Sequence, residues 1–324
     1  MTPLSQILDR WRSSRTFLLT AHANPDGDAV GSLVGLAHVL ALMGKTGHIL
    51  VPQGLPDRFS WLTAPWPVVS SPPGLSGRCI VILDCADLDR VGTELAAVFR
   101  AQDVLNIDHH TGNTLFGSLN WVDPAMSSVG EMIALAARRL GFPLQGHLGE
   151  ALYLALMADT GSLSFSNTTP QTLDIVSEIQ ACGLDLDGFQ AKLQRQWPLA
   201  KLHLHGRAMQ DVSVRGEGKI GIIRAPRALR DQTGATLEDC EGLVDYVRRL
   251  RGVVVAVSLR EEEDGVKFSL RTWGEVNVRD IAAELGGGGH PNAAGGSIPG
   301  PLQDAEERIV QTICARTGWP HRMD

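Results

Sequence analysis

Thr16-Phe17-Leu18-Leu19-Thr20-Ala21-His22-Ala23-Asn24-Pro25-Asp26-Gly27-Asp28 decides the reading of the fold. Residues 16–20 are an apolar run of strand length, and an imidazole and two carboxylates follow it around Pro25 and Gly27. An apolar segment over 29–43 comes next and stops at Gly44, which predicts a helix. A buried strand that runs into a polar turn and then a helix opens a βα unit. The grammar repeats along the first half. Apolar strands are predicted at 48–51, 79–83 and 104–107, with helices over 127–140 and 148–158. Strands that are apolar throughout and separated by helices imply a mainly parallel sheet flanked on both faces.

Outward from that half the pattern changes. Beyond Pro170 the sequence reads helical to about residue 210, with segments at 189–196 and 201–210 around Pro198. Strands follow at 219–223, 253–259 and 266–271, the last two joined by the acidic turn 260–265 as an antiparallel hairpin. Helices over 237–251 and 302–317 complete an α+β unit with a mixed sheet. The expected organisation is a catalytic, metal-binding domain at 1–187, a helical linker at 188–210 and a substrate-binding domain at 211–324.

Composition bounds the function. The 324 residues exceed one ordinary domain, and 44% hydrophobic with 20% charged residues is the make-up of a folded protein. A net charge of -7 excludes a globally basic coat for nucleic acid, so an anionic substrate needs local positive charge or bound metal. Five scattered cysteines without C-x-x-C spacing argue against a disulfide framework or a zinc site. The first fifteen residues lack an apolar signal region, and the apolar run 33–43 is too short to span a bilayer. The expected location is the cytoplasm, with no membrane partner.

The chemistry is concentrated where predicted elements end. His22, Asp26 and Asp28 follow the first strand, Asp84 the third, and Asp108-His109-His110 the fourth, while Asp159 closes an apolar helix. Ligands of open α/β sheets bind outside the carboxyl ends of the strands, so these groups are expected to converge. Crowded carboxylates need counter-charge, and mixed carboxylate and imidazole donors suit Mn²⁺ or Mg²⁺. His22 and Asp26 can reach one ion and Asp28 another, with Asp84 placed to bridge them. Taken singly, an aspartate at a strand end is usually a cap or loop residue; the coincidence at successive ends carries the argument.

These residues resemble the four motifs of the DHH phosphoesterases, and Gly286-Gly287-Gly288-Gly289-His290-Pro291-Asn292-Ala293-Ala294-Gly295 resembles the glycine-rich signature of the DHHA1 domain. Length and layout are most similar to the oligoribonuclease (nanoRNase)/pAp phosphatase branch. The resemblance implies two Mn²⁺ ions, with Mg²⁺ or Co²⁺ as substitutes. His22, Asp26 and Asp84 would hold one, and Asp28, Asp84, His109 and Asp159 the other. It assigns catalytic roles to Asp84, to His110 facing the substrate, and to Asp108 as the group that orients the histidine pair. Arg271 would grip a substrate phosphate. One departure is Thr111, where many relatives carry proline.

The implied reaction is hydrolysis of nanoRNA to mononucleotides, and of pAp to AMP, by two-metal activated water attack in the cleft between the domains. Short RNA or DNA oligonucleotides and nucleotides are the expected partners, and a homodimer stays open. The alternatives are a phosphodiesterase for c-di-AMP or pApA, a RecJ-like single-strand DNA exonuclease, and a catalytically silent nucleotide-binding module. Independently of the resemblance, Gly287, Gly288 and Gly289 would offer backbone N–H donors to phosphate, with His290 beside them. Asn292 either supports that loop or touches substrate. Ser127 and Ser128 either cap a helix or contact phosphate. Phe165 and Trp273 either stack on a base or pack.

Overall fold

The computed structural model describes residues 2–195 and 197–321. The chain divides into two compact units, the first running to Gln196 and the second beginning at Trp197.

In the first unit, β1 (Thr16–Thr20), β2 (Thr46–Leu50), β3 (Val68–Val69), β4 (Arg78–Leu83), β5 (Val104–Asp108) and β6 (Leu119–Val122) form one parallel sheet. Their spatial order is β3-β2-β1-β4-β5-β6. The sheet grows from β1 in both directions, which creates a topological switch point outside the carboxyl ends of β1 and β4. Seven α-helices among the described residues accompany it: α1 (Pro3–Ser13), α2 (Gly27–Leu42), α3 (Thr93–Phe99), α4 (Val129–Arg139), α5 (Gly146–Asp159), α6 (Pro170–Ala181) and α7 (Leu186–Gln194). Helices α2 and α5 are apolar nearly all round because both lie in the core. They approach closely at Gly31, where a methyl group would stand 2.5 Å from the Ala151 carbonyl oxygen. The main core joins Leu33, Leu36 and Leu40 of α2 to Leu152 and Leu156 of α5 and to Phe17 of β1. A second cluster around Ile80, Ile82 and Phe99 fills the opposite face.

In the second unit, β7 (Ser213–Arg215), β8 (Ile220–Ala225), β9 (Val255–Glu262), β10 (Gly265–Thr272), β11 (Gly288–His290) and β12 (Ala293–Ile298) lie in the order β11-β12-β10-β9-β8-β7. Only the β8–β9 pair is parallel. The helices are α8 (Leu199–Gln210), α9 (Arg227–Thr233), α10 (Leu243–Arg248), α11 (Val278–Glu284) and α12 (Leu302–Thr317). One sheet face packs Val257, Phe268 and Leu270 against Ile281 of α11 and Ile309 and Ile313 of α12. On the other face, Leu204 and Ala208 of α8 and Val244 and Val247 of α10 meet Ile223 and Ala256.

Three expectations need correction. The helix read over 237–251 is broken: a 3₁₀ turn at Glu238–Cys240 is followed by Gly242 at φ 88°, and only Leu243–Arg248 is α-helical. The glycine-rich segment is not a loop throughout, because Gly288 to His290 pair with β12 as its outermost strand. The acidic turn is also shorter than read. Glu261 and Glu262 belong to β9, Glu262 pairs with Arg260, and Glu261 accepts the Arg227 backbone N–H at 2.9 Å. No helix among the described residues is long and apolar enough to cross a membrane.

Candidate metal centre and substrate face

The chain that leaves β1 turns at Pro25, and Asp26 becomes the N-cap of α2. Its Oδ1 accepts the backbone N–H groups of Asp28 and Ala29, each at 3.1 Å. That cap fixes the turn, which leaves His22 Nε2 3.9 Å from Asp26 Oδ1 and 3.6 Å from Asp84 Oδ2. Asp84 follows β4 directly and holds φ at 52°, a left-handed conformation that is unfavourable for a side chain. It aims the carboxylate into the crevice. Oδ1 of Asp84 lies 3.8 Å from His109 Nε2 and 3.6 Å from His110 Nδ1.

Asp28 is completely buried in the first turn of α2. Its Oδ2 accepts the Val129 N–H at 2.8 Å, and its Oδ1 accepts the Gly130 N–H and the Ser32 hydroxyl, each at 3.0 Å. The N-terminus of α4, where the helix dipole favours negative charge, therefore anchors this carboxylate. His109 Nε2 lies 3.0 Å from Asp159 Oδ2 and 3.8 Å from Asp28 Oδ2. Its Nδ1 lies 3.2 Å from the Met126 carbonyl oxygen, an acceptor that places the ring proton on Nδ1 and leaves Nε2 as an electron-pair donor. Asp108 is fully buried and accepts from His110 Nδ1 at 2.7 Å and from Asn113 Nδ2 at 2.6 Å.

Three sets of donor atoms result, each within 4.8 Å of one another: His22, Asp26 and Asp84; Asp28, His109 and Asp159; and Asp84, His109 and His110. Asp84 belongs to two of them, with its oxygens turned to opposite sides. The electrostatics show how much negative charge is gathered here. Burial opposes the charge on His22, yet Asp26 and Asp84 carry its pKa up to about 9. Burial likewise opposes His109, and Asp159, Asp28 and Asp84 carry it to about 10. Burial, with Asp84 and Asp159 opposite, pushes Asp28 well above the usual carboxylate range; burial also raises Asp159. Oδ1 of Asp84 is buried and has no hydrogen-bond partner. A buried carboxylate oxygen without a donor is costly, and a hard cation is the partner that this set of oxygens and imidazoles fits.

Ser127 and Ser128 are buried and spent internally, so the substrate-contact option is corrected in favour of capping. Ser128 Oγ accepts the Glu131 N–H at 3.0 Å, and the Ser127 hydroxyl donates to Glu131 Oε2 at 2.5 Å. Sequence reasoning missed Glu131 and Asn113. Glu131 braces the start of α4 and so the N–H groups that hold Asp28, and the spacing Ser128-x-x-Glu131 was a visible helix-start signal. Asn113 clamps Asp108 from a turn, and nothing in its sequence context marks it.

In the second unit the strand register sets the other expected residues. One row across the sheet reads Gly221, Ala256, Arg271, Ala293, His290. The next row on the same face reads Ile223, Ser258, Ser269, Gly295, Gly288. Arg271 and His290 thus stand on one face, roughly 10 Å apart by two strand spacings, over a floor of Ala, Ser and Gly. Arg271 donates to its neighbour's carbonyl, Leu270, at 3.0 Å and has no ion pair among the described residues. Burial, opposed by Asp245, lowers its pKa. The glycines are needed mostly for packing: a methyl group at Gly289 would stand 2.5 Å from the Ala293 carbonyl oxygen, and one at Gly287 would strike Gly295. Gly286 and Gly288 face open space. Asn292 is exposed at the β11–β12 turn, where its carbonyl accepts the Thr272 N–H at 3.1 Å.

A switch-point crevice that gathers four aspartates and the imidazoles of His22, His109 and His110 is a donor arrangement of the kind metal-dependent hydrolases use. Comparison with known proteins narrows the class. The DHH family, N-terminal domain, matches residues 16–158, and the DHHA1 domain matches residues 222–317. The bifunctional oligoribonuclease and PAP phosphatase NrnA of Thermus thermophilus is 33% identical over 298 residues, covering 91% of this chain and 88% of that protein. Its Bacillus subtilis namesake is 29% identical over 308 residues, covering 92% and 95%. The crystal structure of an exopolyphosphatase-related protein from Bacteroides fragilis superposes with a TM-score of 0.89 at 25% identity, covering 96% and 95%. The chain belongs to the DHH–DHHA1 phosphoesterase family.

Proposed function

We propose that the protein hydrolyses the phosphoester bonds of very short RNA to release mononucleotides, and that it also converts pAp to AMP. The observation that carries this reading is the unpartnered, buried Oδ1 of Asp84 at the centre of the convergent donor sets. The two NrnA relatives supply the substrate class. We assign hydrolysis to residues 1–187, substrate capture to 211–324 and the connection to 188–210.

The donors suit two Mn²⁺ ions: His22, Asp26 and Asp84 would hold one, and Asp28, Asp84, His109 and Asp159 would hold the other. When bound, such ions polarise phosphoryl oxygens and make water acidic enough to supply a nucleophile near neutral pH. The chain's own residues do the rest. The Asp108 carboxylate, held by Asn113, fixes His110 through its Nδ1 and leaves Nε2 to assist a leaving oxygen. Arg271 supplies a fork of N–H donors to a phosphate, and the bare floor beside it admits a sugar or base without collision. The free cysteines fit a reducing compartment, in line with a cytoplasmic enzyme.

Product analysis on labelled di- to pentaribonucleotides, matched DNA, pAp and c-di-AMP tests the reading. The expected result is mononucleotide release from short RNA with Mn²⁺, abolished by EDTA. Release from c-di-AMP alone would move the substrate to cyclic dinucleotides, and no turnover of any substrate would overturn the proposal.

A further inference from the structure

Trp273 lies two residues beyond Arg271 and is 62% exposed, yet its ring is held in place. The indole Nε1–H donates to the Arg248 carbonyl at 3.0 Å, and the Arg248 guanidinium carbon lies 3.9 Å from the ring centroid. A cation at that distance covers one face of the indole and leaves the other for solvent. Side-chain alternation along β10 puts Ser269 and Arg271 on the open sheet face, and Trp273 continues that series just past the strand end. Arg248 closes α10, the helix packed on this same side at Val247 and Ala256. The bond from Thr272 N–H to the Asn292 carbonyl keeps the segment alongside the β11–β12 turn, which carries His290.

A large aromatic surface that is both exposed and immobilised has already lost the freedom a partner would otherwise have to remove. Two strand residues span about 7 Å, which is the scale of a nucleoside between its base and its phosphate. Arg271, which has no ion pair among the described residues, supplies the phosphate end of that span. We propose that the outer face of the Trp273 indole, backed by Arg248, is a stacking platform for the nucleobase of the substrate whose phosphate Arg271 holds. This inference rests on the reading of the protein as a nucleotide phosphoesterase. Every base has a π-face, so the platform recognises nucleotides as a class and does not select sequence.

Calorimetric titration of the Mn²⁺-loaded protein with AMP and with ribose 5-phosphate isolates the base. The wild type should bind AMP on the order of ten-fold more tightly. Trp273→Leu should bring the two affinities together, and Trp273→Phe should keep most of the difference. A wild-type preference that survives in Trp273→Leu, or equal wild-type affinities, would overturn the platform. Failure of the parent reading shows itself elsewhere, as a wild type that hydrolyses none of the short RNAs or pAp.

Discussion

The parallel sheet of the first unit is packed on both faces, so β1, β4 and β5 offer chemistry only where they end, at His22, Asp84 and Asp108. The mixed sheet of the second unit places Arg271 and His290 on one face of β10, β12 and β11, among alanine, serine and glycine. The first arrangement is built by convergence: groups far apart in sequence are forced together, buried and held by one another's hydrogen bonds. The second is built by omission, since removing side chains from a flat surface makes the room. A convergent site should be brittle toward loss of a polar atom. A cleared surface should tolerate polar changes and suffer from added bulk.

The largest expected effect tests brittleness. Asp84→Asn keeps the size of the side chain but removes its charge, and it should lower Mn²⁺-dependent turnover by about a thousand-fold, or ~4 kcal/mol of barrier. Circular dichroism should remain that of a folded protein, and the rise in melting temperature on adding Mn²⁺ should disappear. Near-normal turnover would break the contrast outright. A smaller effect tests omission. Ala293→Leu fills the row between Arg271 and His290 without touching a core, and it should raise KM for short RNA about ten-fold, or ~1.4 kcal/mol. Its kcat and melting temperature should hold. If kcat falls as far as KM rises, the face is not a simple binding floor.

The smallest effect concerns the stability of the second unit. His205 is buried between the Asp239 carbonyl, 2.7 Å from Nε2, and the Tyr246 hydroxyl, 3.2 Å from Nδ1. Burial, aided by Lys201 and opposed by the Asp239 carbonyl, lowers its pKa. The unfolded chain therefore binds the proton more readily, so this contribution is complete above the ordinary histidine pKa of about 6.5 and is lost as pH falls below it. After correction for the intrinsic pH dependence of amide exchange, the protection of β8 and α10 amides should fall between neutral and mildly acidic pH, and His205→Gln should flatten that dependence. An unchanged slope in the variant would remove His205 from the account.

What could be read from sequence follows the same division. The convergent site announces itself because polar residues interrupt apolar runs at Asp84, Asp108 and Asp159, and a parallel sheet must bring such interruptions to one edge. The order of strands, with β1 in the middle, could not be read from periodicity, nor could the bonds from α4 to Asp28 that span the unit. The cleared face is nearly silent. Ala293-Ala294-Gly295-Gly296-Ser297-Ile298 has the composition of a turn, and only pairing with β10 makes it a strand. Gly242 could have warned that the helix over 237–251 would break, since a glycine inside a helical pattern lowers its stability. The short α1, with Ile7, Leu8 and Trp11 inward, was hidden by its polar remainder.

The bonds from Asp28 to Val129 and Gly130 join residues 101 and 102 positions apart, and Asp159 comes later still. A chain emerging from the ribosome cannot assemble this arrangement until Asp159 has been synthesised. No shorter N-terminal stretch holds all three donor groups, so the crevice is completed only once α5 has been made.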